Sequence, residues 1–174
     1  VDNSRAYMNR IAGYSEYELG NYDDALTYMN KLFAALPEDR LIKKDYIYLS
    51  KILLKKNQNY AKQVLETEKM ESDLAKLQDK FATMTKGPAK DKMKADIDAL
   101  TAQIAANHAE TAAADVEINK AFEAYDKAIN FDVEDLKLEN EKAMYLNAYR
   151  RNVDAGDTYS KLLTKGHDSE ADYI

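Results

Sequence analysis

No cysteine and no tryptophan occur in this 174-residue sequence, and only two histidines, two prolines and five glycines do. Without cysteine there can be no disulfide framework and no thiolate metal site, which leaves the compartment open. Scarce proline and glycine mean few forced breaks, and with 32% charged residues the chain should be almost entirely helical. No apolar run approaches the roughly 20 residues that cross a bilayer, and Val1 to Arg10 has no signal-peptide character. The net charge of −6 and the lack of a basic face argue against nucleic acid, whose phosphates require clustered Lys and Arg.

What is present is one spacing pattern in three copies. Gly13 is followed after 12 residues by Ala25, then by Met29, Leu32 and Pro37 at steps of 4, 3 and 5. Ala143 is likewise followed after 12 by Ala155, then by Tyr159 and Leu162 at steps of 4 and 3. Between them, Ala121, Tyr125, Ala128 and Val133 keep the 4, 3 and 5 steps, but the matching small residue is Ser50, 71 positions earlier, an excess of 59. A fixed period of this kind marks an array of helical pairs, each too thin to bury its apolar faces alone.

Local signals agree. Ser4 to Leu19 carries a broad apolar stripe at helical period, Gly20-Asn21 breaks it, Asn21 is placed to cap the next helix, and Asp23 and Asp24 fall in that helix's first turn. Small Gly13 and Ala25 lie where two backbones should approach closely.

The segment from Ala12 to Pro37 resembles a tetratricopeptide repeat, on Gly13, Gly20, Tyr22, Ala25 and Pro37, with Ala12 and Met29 as weaker matches. Ala121 to Val133 resembles the second helix and exit of such a repeat, with Val133 where the family usually has proline. The third copy has Arg150 where a glycine often ends the first helix. The resemblance implies an all-α fold: tetratricopeptide-like antiparallel helix pairs in a short superhelical array. The boundaries expected are 1–39 for the first repeat, 40–57 and 118–133 for the two helices of the second, 134–166 for the third, and 167–174 for the start of a truncated further one.

Residues 58–117 read as an inserted antiparallel two-helix coiled-coil hairpin. Of thirteen tyrosines none lies between Ala61 and Lys120, where Phe81 is the sole aromatic. A ladder of alternating 3 and 4 steps runs Tyr60, Gln63, Thr67, Met70, Leu74, Leu77, Phe81, Met84, and a second runs Met93, Ile97, Leu100, Ile104, Asn107, Thr111, Ala114, Ile118. Lys86-Gly87-Pro88 separates them, which places the turn near 86–90. Pairing Met84 with Met93, Phe81 with Ile97, Leu77 with Leu100 and Leu74 with Ile104 gives residue numbers adding to 177 or 178, the constant that an antiparallel pair requires. The same register sets Met70 against Asn107 and Thr67 against Thr111, so the seam should be apolar at the turn and polar at the far end.

Chemistry is sparse. His108 and His167 are 59 residues apart with no metal-ligand spacing, and Lys86-Gly-Pro-Ala-Lys90 reads as a turn rather than a phosphate loop. Asp132, Glu134 and Asp135 read as turn and first-turn acids, and no nucleophile elbow is present. Neither catalysis nor a cofactor or metal is expected.

In the family the first helices line a concave surface, so the resemblance implies protein or peptide binding there by Tyr7, Arg10, Tyr14, Tyr17, Tyr48, Lys51, Lys55, Asn140, Met144 and Asn147. For Tyr7, Tyr14 and Tyr17, packing between repeats is an equal alternative. The Lys and Asn set with which some members clamp a peptide C-terminus is not reproduced. The function expected is a scaffold or adaptor. The alternatives are an accessory region that positions a catalytic or transport domain outside this sequence, or an oligomerisation module acting through the hairpin, with self-association through hairpin or array ends. Ser169 to Asp172 resembles a helix start, and further repeats are expected to flank the piece. The residues fix no compartment, and the look of the repeats leans toward a bacterial periplasm or cell envelope over the cytoplasm.

Overall fold

The computed structural model describes residues 3–133 and 135–165; the expected start of a further repeat at 167–174, with His167, lies outside them. Among the described residues the chain is all-α. The helices are α1 (Asn3–Glu18), α2 (Tyr22–Ala35), α3 (Lys43–Lys56), α4 (Tyr60–Thr83), α5 (Pro88–Asn130), α6 (Leu136–Ala148) and α7 (Asn152–Thr164), with one 3-10 turn at Glu38–Arg40. No helix of the described residues is long and apolar enough to cross a membrane. Two compact units divide the chain: the residues up to Gln58 with those from Glu117 onward, and Asn59–Val116.

In the first unit α1 packs on α2, α2 and α1 on α3, and α6 on α7. The core falls on the residues of the spacing pattern. Ala25, Ala121 and Ala155 are buried in α2, α5 and α7, as are Met29 with Tyr125, and Leu32 with Ala128 and Leu162. Opposite them Gly13, Ser50 and Ala143 are buried in α1, α3 and α6. Close helix approach is the cause: a Cβ on Gly13 would sit 2.8 Å from Met29 Sδ and 3.5 Å from the Ala25 carbonyl oxygen.

The helix ends repeat as well. Gly20 has φ +82°, and there Gly20 N–H donates to the Tyr17 carbonyl at 3.0 Å and Asn21 N–H to Glu16 at 2.8 Å. Arg150 takes the same left-handed conformation at φ +63°, with Arg150 N–H to Asn147 at 3.0 Å and Arg151 N–H to Leu146 at 2.8 Å. Both close the end of a first helix by the same reversal, which satisfies carbonyls that the helix itself leaves unpaired. Asn21 does not cap α2 with its side chain; its Nδ2 donates instead to Glu16 Oε2 at 2.7 Å. Pro37 holds Leu36 extended at φ −111°, ψ +138°, which ends α2.

Asn57 occupies the corresponding place in the second copy, and here the chain departs. Its φ is −102°, and its Nδ2 donates to the Leu53 carbonyl and to Glu117 Oε2, both at 2.8 Å. Lys56 Nζ reaches Glu117 Oε1 at 2.9 Å, so the first unit's chain is tied at the point where it leaves and the point where it returns. Burial pushes the Glu117 carboxyl up, and the hydrogen bonds from Asn57 and Lys56 outweigh it, leaving it below its ordinary value.

In the second unit α4 and the first part of α5 run antiparallel. Asn107 Nδ2 contacts Thr67 Oγ1 at 3.3 Å and Met70 Sδ at 3.6 Å, His108 meets Glu71 at 2.7 Å, and Lys90 Nζ donates to the Met84 carbonyl while lying 4.7 Å from the Phe81 ring centre. Every residue of the two apolar-to-polar ladders from Tyr60 to Ala114 is buried or half-buried. Helix α5 runs unbroken from the second unit into the first, because between Pro88 and Asn130 no further proline or glycine interrupts it.

Candidate functional site

Helices α1, α3 and α6 carry the ten residues that the resemblance implied for binding. Their side chains fall into two groups. One group is occupied by ties between helices. Asp45, in the first turn of α3, is fully buried and accepts Arg10 Nε at 2.8 Å, Arg10 NH2 at 2.7 Å, the Tyr14 hydroxyl at 2.6 Å and the Ile42 backbone N–H at 2.9 Å. A buried carboxylate is tolerated when it is so fully satisfied, and the planar guanidinium supplies two donors in fork geometry. The hydrogen bond from Arg10 to Asp45 holds the guanidinium above its ordinary pKa, and burial, then the bond to Asp45, pushes the Tyr14 phenol well up. Arg10 and Tyr14 therefore join α1 to α3, and removing both would strand Asp45.

Around that tie the tyrosines form a continuous surface. Tyr14 stacks on Tyr48 with ring centres 3.9 Å apart, Tyr17 meets Tyr48 edge-on at 5.3 Å, and Lys44 Nζ lies 5.2 and 5.5 Å from the Tyr14 and Tyr48 centres. Stacked and edge-on rings with a cation over them are each worth about 0.5–1.5 kcal/mol beyond area burial. Tyr48 donates its hydroxyl to Glu18 Oε1 at 2.8 Å. Burial, the main cause, raises the Tyr17 phenol to about 12, with Tyr145 of α6 also contributing. Lys51 then links α3 to α6 through Glu141 at 2.7 Å, and Glu141 accepts the buried Tyr125 hydroxyl at 2.7 Å.

The second group faces outward. Tyr7 is 58% exposed and Met144 59%, Asn147 is exposed, and Lys55 and Asn140 are half-buried. Tyr7 lies at one end of the surface with Arg10 5.3 Å from its ring centre. Lys55 lines a separate shallow cleft with Tyr22, Asp23, Asp24 and Lys56.

Sequence reasoning missed Asp45, Glu141, Lys44 and Tyr145. Nothing in their spacing singles them out, since each acts through a partner on another helix. Elsewhere in the first unit, a cavity of about 420 Å³ floored by Phe33, Leu36, Leu41, Tyr46 and Leu53 is rimmed by Glu38 and Lys127, which pair with each other. Among the described residues no group of three or more His, Asp or Glu could hold a metal ion. No family model, curated protein or solved structure matches the chain.

Proposed function

We propose that this chain is a non-catalytic protein-binding scaffold of the tetratricopeptide type, which takes an extended segment of a partner along the α1, α3 and α6 surface. The observation that carries the reading is the run of tyrosines across α1 and α3, from exposed Tyr7 through Tyr14, Tyr48 and Tyr17, with Met144 exposed on α6. Tyrosine offers rigid, amphipathic contact area at low entropic cost, and these rings are already held by stacking and by Asp45 and Glu18. The shared left-handed helix ends at Gly20 and Arg150, and the buried small residues Gly13, Ser50 and Ala143, support the repeat reading. The ladder burial in α4 and α5 supports the coiled-coil reading of the hairpin.

The test selects a random peptide display library on the intact chain and measures the enriched peptides against Tyr7→Ala combined with Met144→Ala. Both side chains are largely exposed, so helicity and melting temperature should hold while binding falls at least about tenfold, the loss of two interface side chains of roughly 1 kcal/mol each. The reading fails if no peptide is enriched, or if enriched peptides bind the double variant as well as the parent.

A further inference from the structure

Charge along the second unit is sorted in a way that becomes visible only when the chain reverses. Residues 80–94 hold Lys80, Lys86, Lys90, Lys92 and Lys94 against the single acid Asp91, in a protein whose net charge is −6. The turn between α4 and α5 brings these lysines to one end of the helix pair. Lys90 is used internally, on the Met84 carbonyl and the Phe81 ring, and Lys94 pairs with Asp98 at 2.9 Å. Lys80, Lys86 and Lys92 are exposed and make no ion pair among the described residues. Behind the turn the balance reverses: Glu71, Asp73 and Asp79 on α4 stand against Lys76, which pairs with Asp73 at 2.9 Å, and Asp96 and Asp98 follow on α5, so that Asp79 and Asp96 are the acids with no ion pair among the described residues. The helix pair thus presents a basic end and, starting within about one turn of it at Asp79 and Asp96, an acidic collar.

We propose that this end of the hairpin is a self-association surface whose occupant is the same end of a second copy, overlapping antiparallel by roughly 15–20 Å at 1.5 Å per residue. In that two-fold arrangement each set of lysines lies beside the other copy's collar, so both attractions form at once and the contact is closed. The alternative anionic partners fit the surface less well. The second unit has no arginine for bidentate phosphate contacts, and its one aromatic, Phe81, is half-buried under Lys90, leaving no exposed ring for a base to stack on. No large apolar side chain between Leu65 and Val116 is exposed for insertion into lipid. The inference is independent of the tyrosine surface on α1, α3 and α6.

Two charge-reversed variants of the whole chain test it by sedimentation velocity. One carries Lys80→Glu, Lys86→Glu and Lys92→Glu; the other carries Asp73→Lys, Asp96→Lys and Asp98→Lys. The parent should dimerise at low salt, and the association should weaken at least about tenfold near 0.5 M sodium chloride, since screening shortens from roughly 30 Å at 0.01 M to roughly 3 Å at 1 M. Each variant alone, with helicity unchanged by circular dichroism, should be monomeric, because its ends and collars then carry one sign. An equimolar mixture should form a one-to-one complex, which loss of folding could not produce. A parent that stays monomeric at low salt, variants that still self-associate, or a mixture that does not combine would each overturn the proposal. So would a parent that stays monomeric while the tip lysines drive binding to phosphatidylserine vesicles or to duplex DNA.

Discussion

Arg150 provides the sharpest test of the repeat geometry. It stands at φ +63°, where an L side chain is crowded, and the backbone there makes the same two reversing hydrogen bonds that Gly20 makes at φ +82°. A left-handed residue with a Cβ costs about 1–2 kcal/mol, whereas glycine costs about 0.4–1 kcal/mol more chain entropy than alanine on folding. The difference favours Arg150→Gly over Arg150→Ala by about 1 kcal/mol. Comparing these two variants with each other removes the arginine side chain from both, so its own interactions cancel. At this chain length the gap should appear as a melting temperature about 2–4 °C higher for the glycine variant, read by circular dichroism. Gly20→Ala should lose a similar amount, since a Cβ there meets nothing within 4 Å and the cost is conformational. If Arg150→Ala proved as stable as Arg150→Gly or more so, residue 150 would be right-handed and the turn from α6 to α7 would not repeat that from α1 to α2.

The same exchange should reverse sign at Gly156, inside α7 with open space around it: Gly156→Ala should stabilise by about 0.5–1 kcal/mol in urea denaturation, and a loss would mean the helix is not formed there. Asp45→Ala should destabilise by about 3 kcal/mol or more, because Arg10 and Tyr14 lose a fully buried shared partner; a change under about 1 kcal/mol in the same assay would show that the tie is not formed. Burial raises the phenols of Tyr17 and Tyr149 to about 12. Their contribution to stability is therefore complete below pH 10 and is lost as pH rises through about 12. The last part of the tyrosinate absorbance should consequently rise together with loss of helicity, and full ionisation of a still-helical protein would contradict the assignment.

Much of the architecture is legible in particular residues. Gly13 is small because the facing helix leaves little room, and the 12-residue steps from Gly13 to Ala25 and from Ala143 to Ala155 reflect helical geometry, which is local. The hairpin ladders are likewise legible, because the burial of one stripe at alternating 3 and 4 steps follows from the helical period. Arg150 was harder: its residue type argues against the conformation it adopts, and only its position relative to Gly20 points to it. The candidate surface was legible in part. The helices that carry it follow from the resemblance, but Arg10 and Tyr14 look like free recognition groups until Asp45 is brought to them from 35 and 31 residues away.

The sequence by itself determined that this protein is helical and that a long stretch poor in aromatics separates Ser50 from Ala121, because periodicity and turn residues act within a few positions of the chain. Tertiary structure alone decided which charges are neighbours. Asp45 with Arg10, Lys51 with Glu141, Lys56 and Asn57 with Glu117, and the lysines gathered at the hairpin turn are all meetings of residues distant in the chain or on opposing helices. A charge has no period to betray its partner, since its interaction depends on distance in space and on burial, and both are set only when the helices pack.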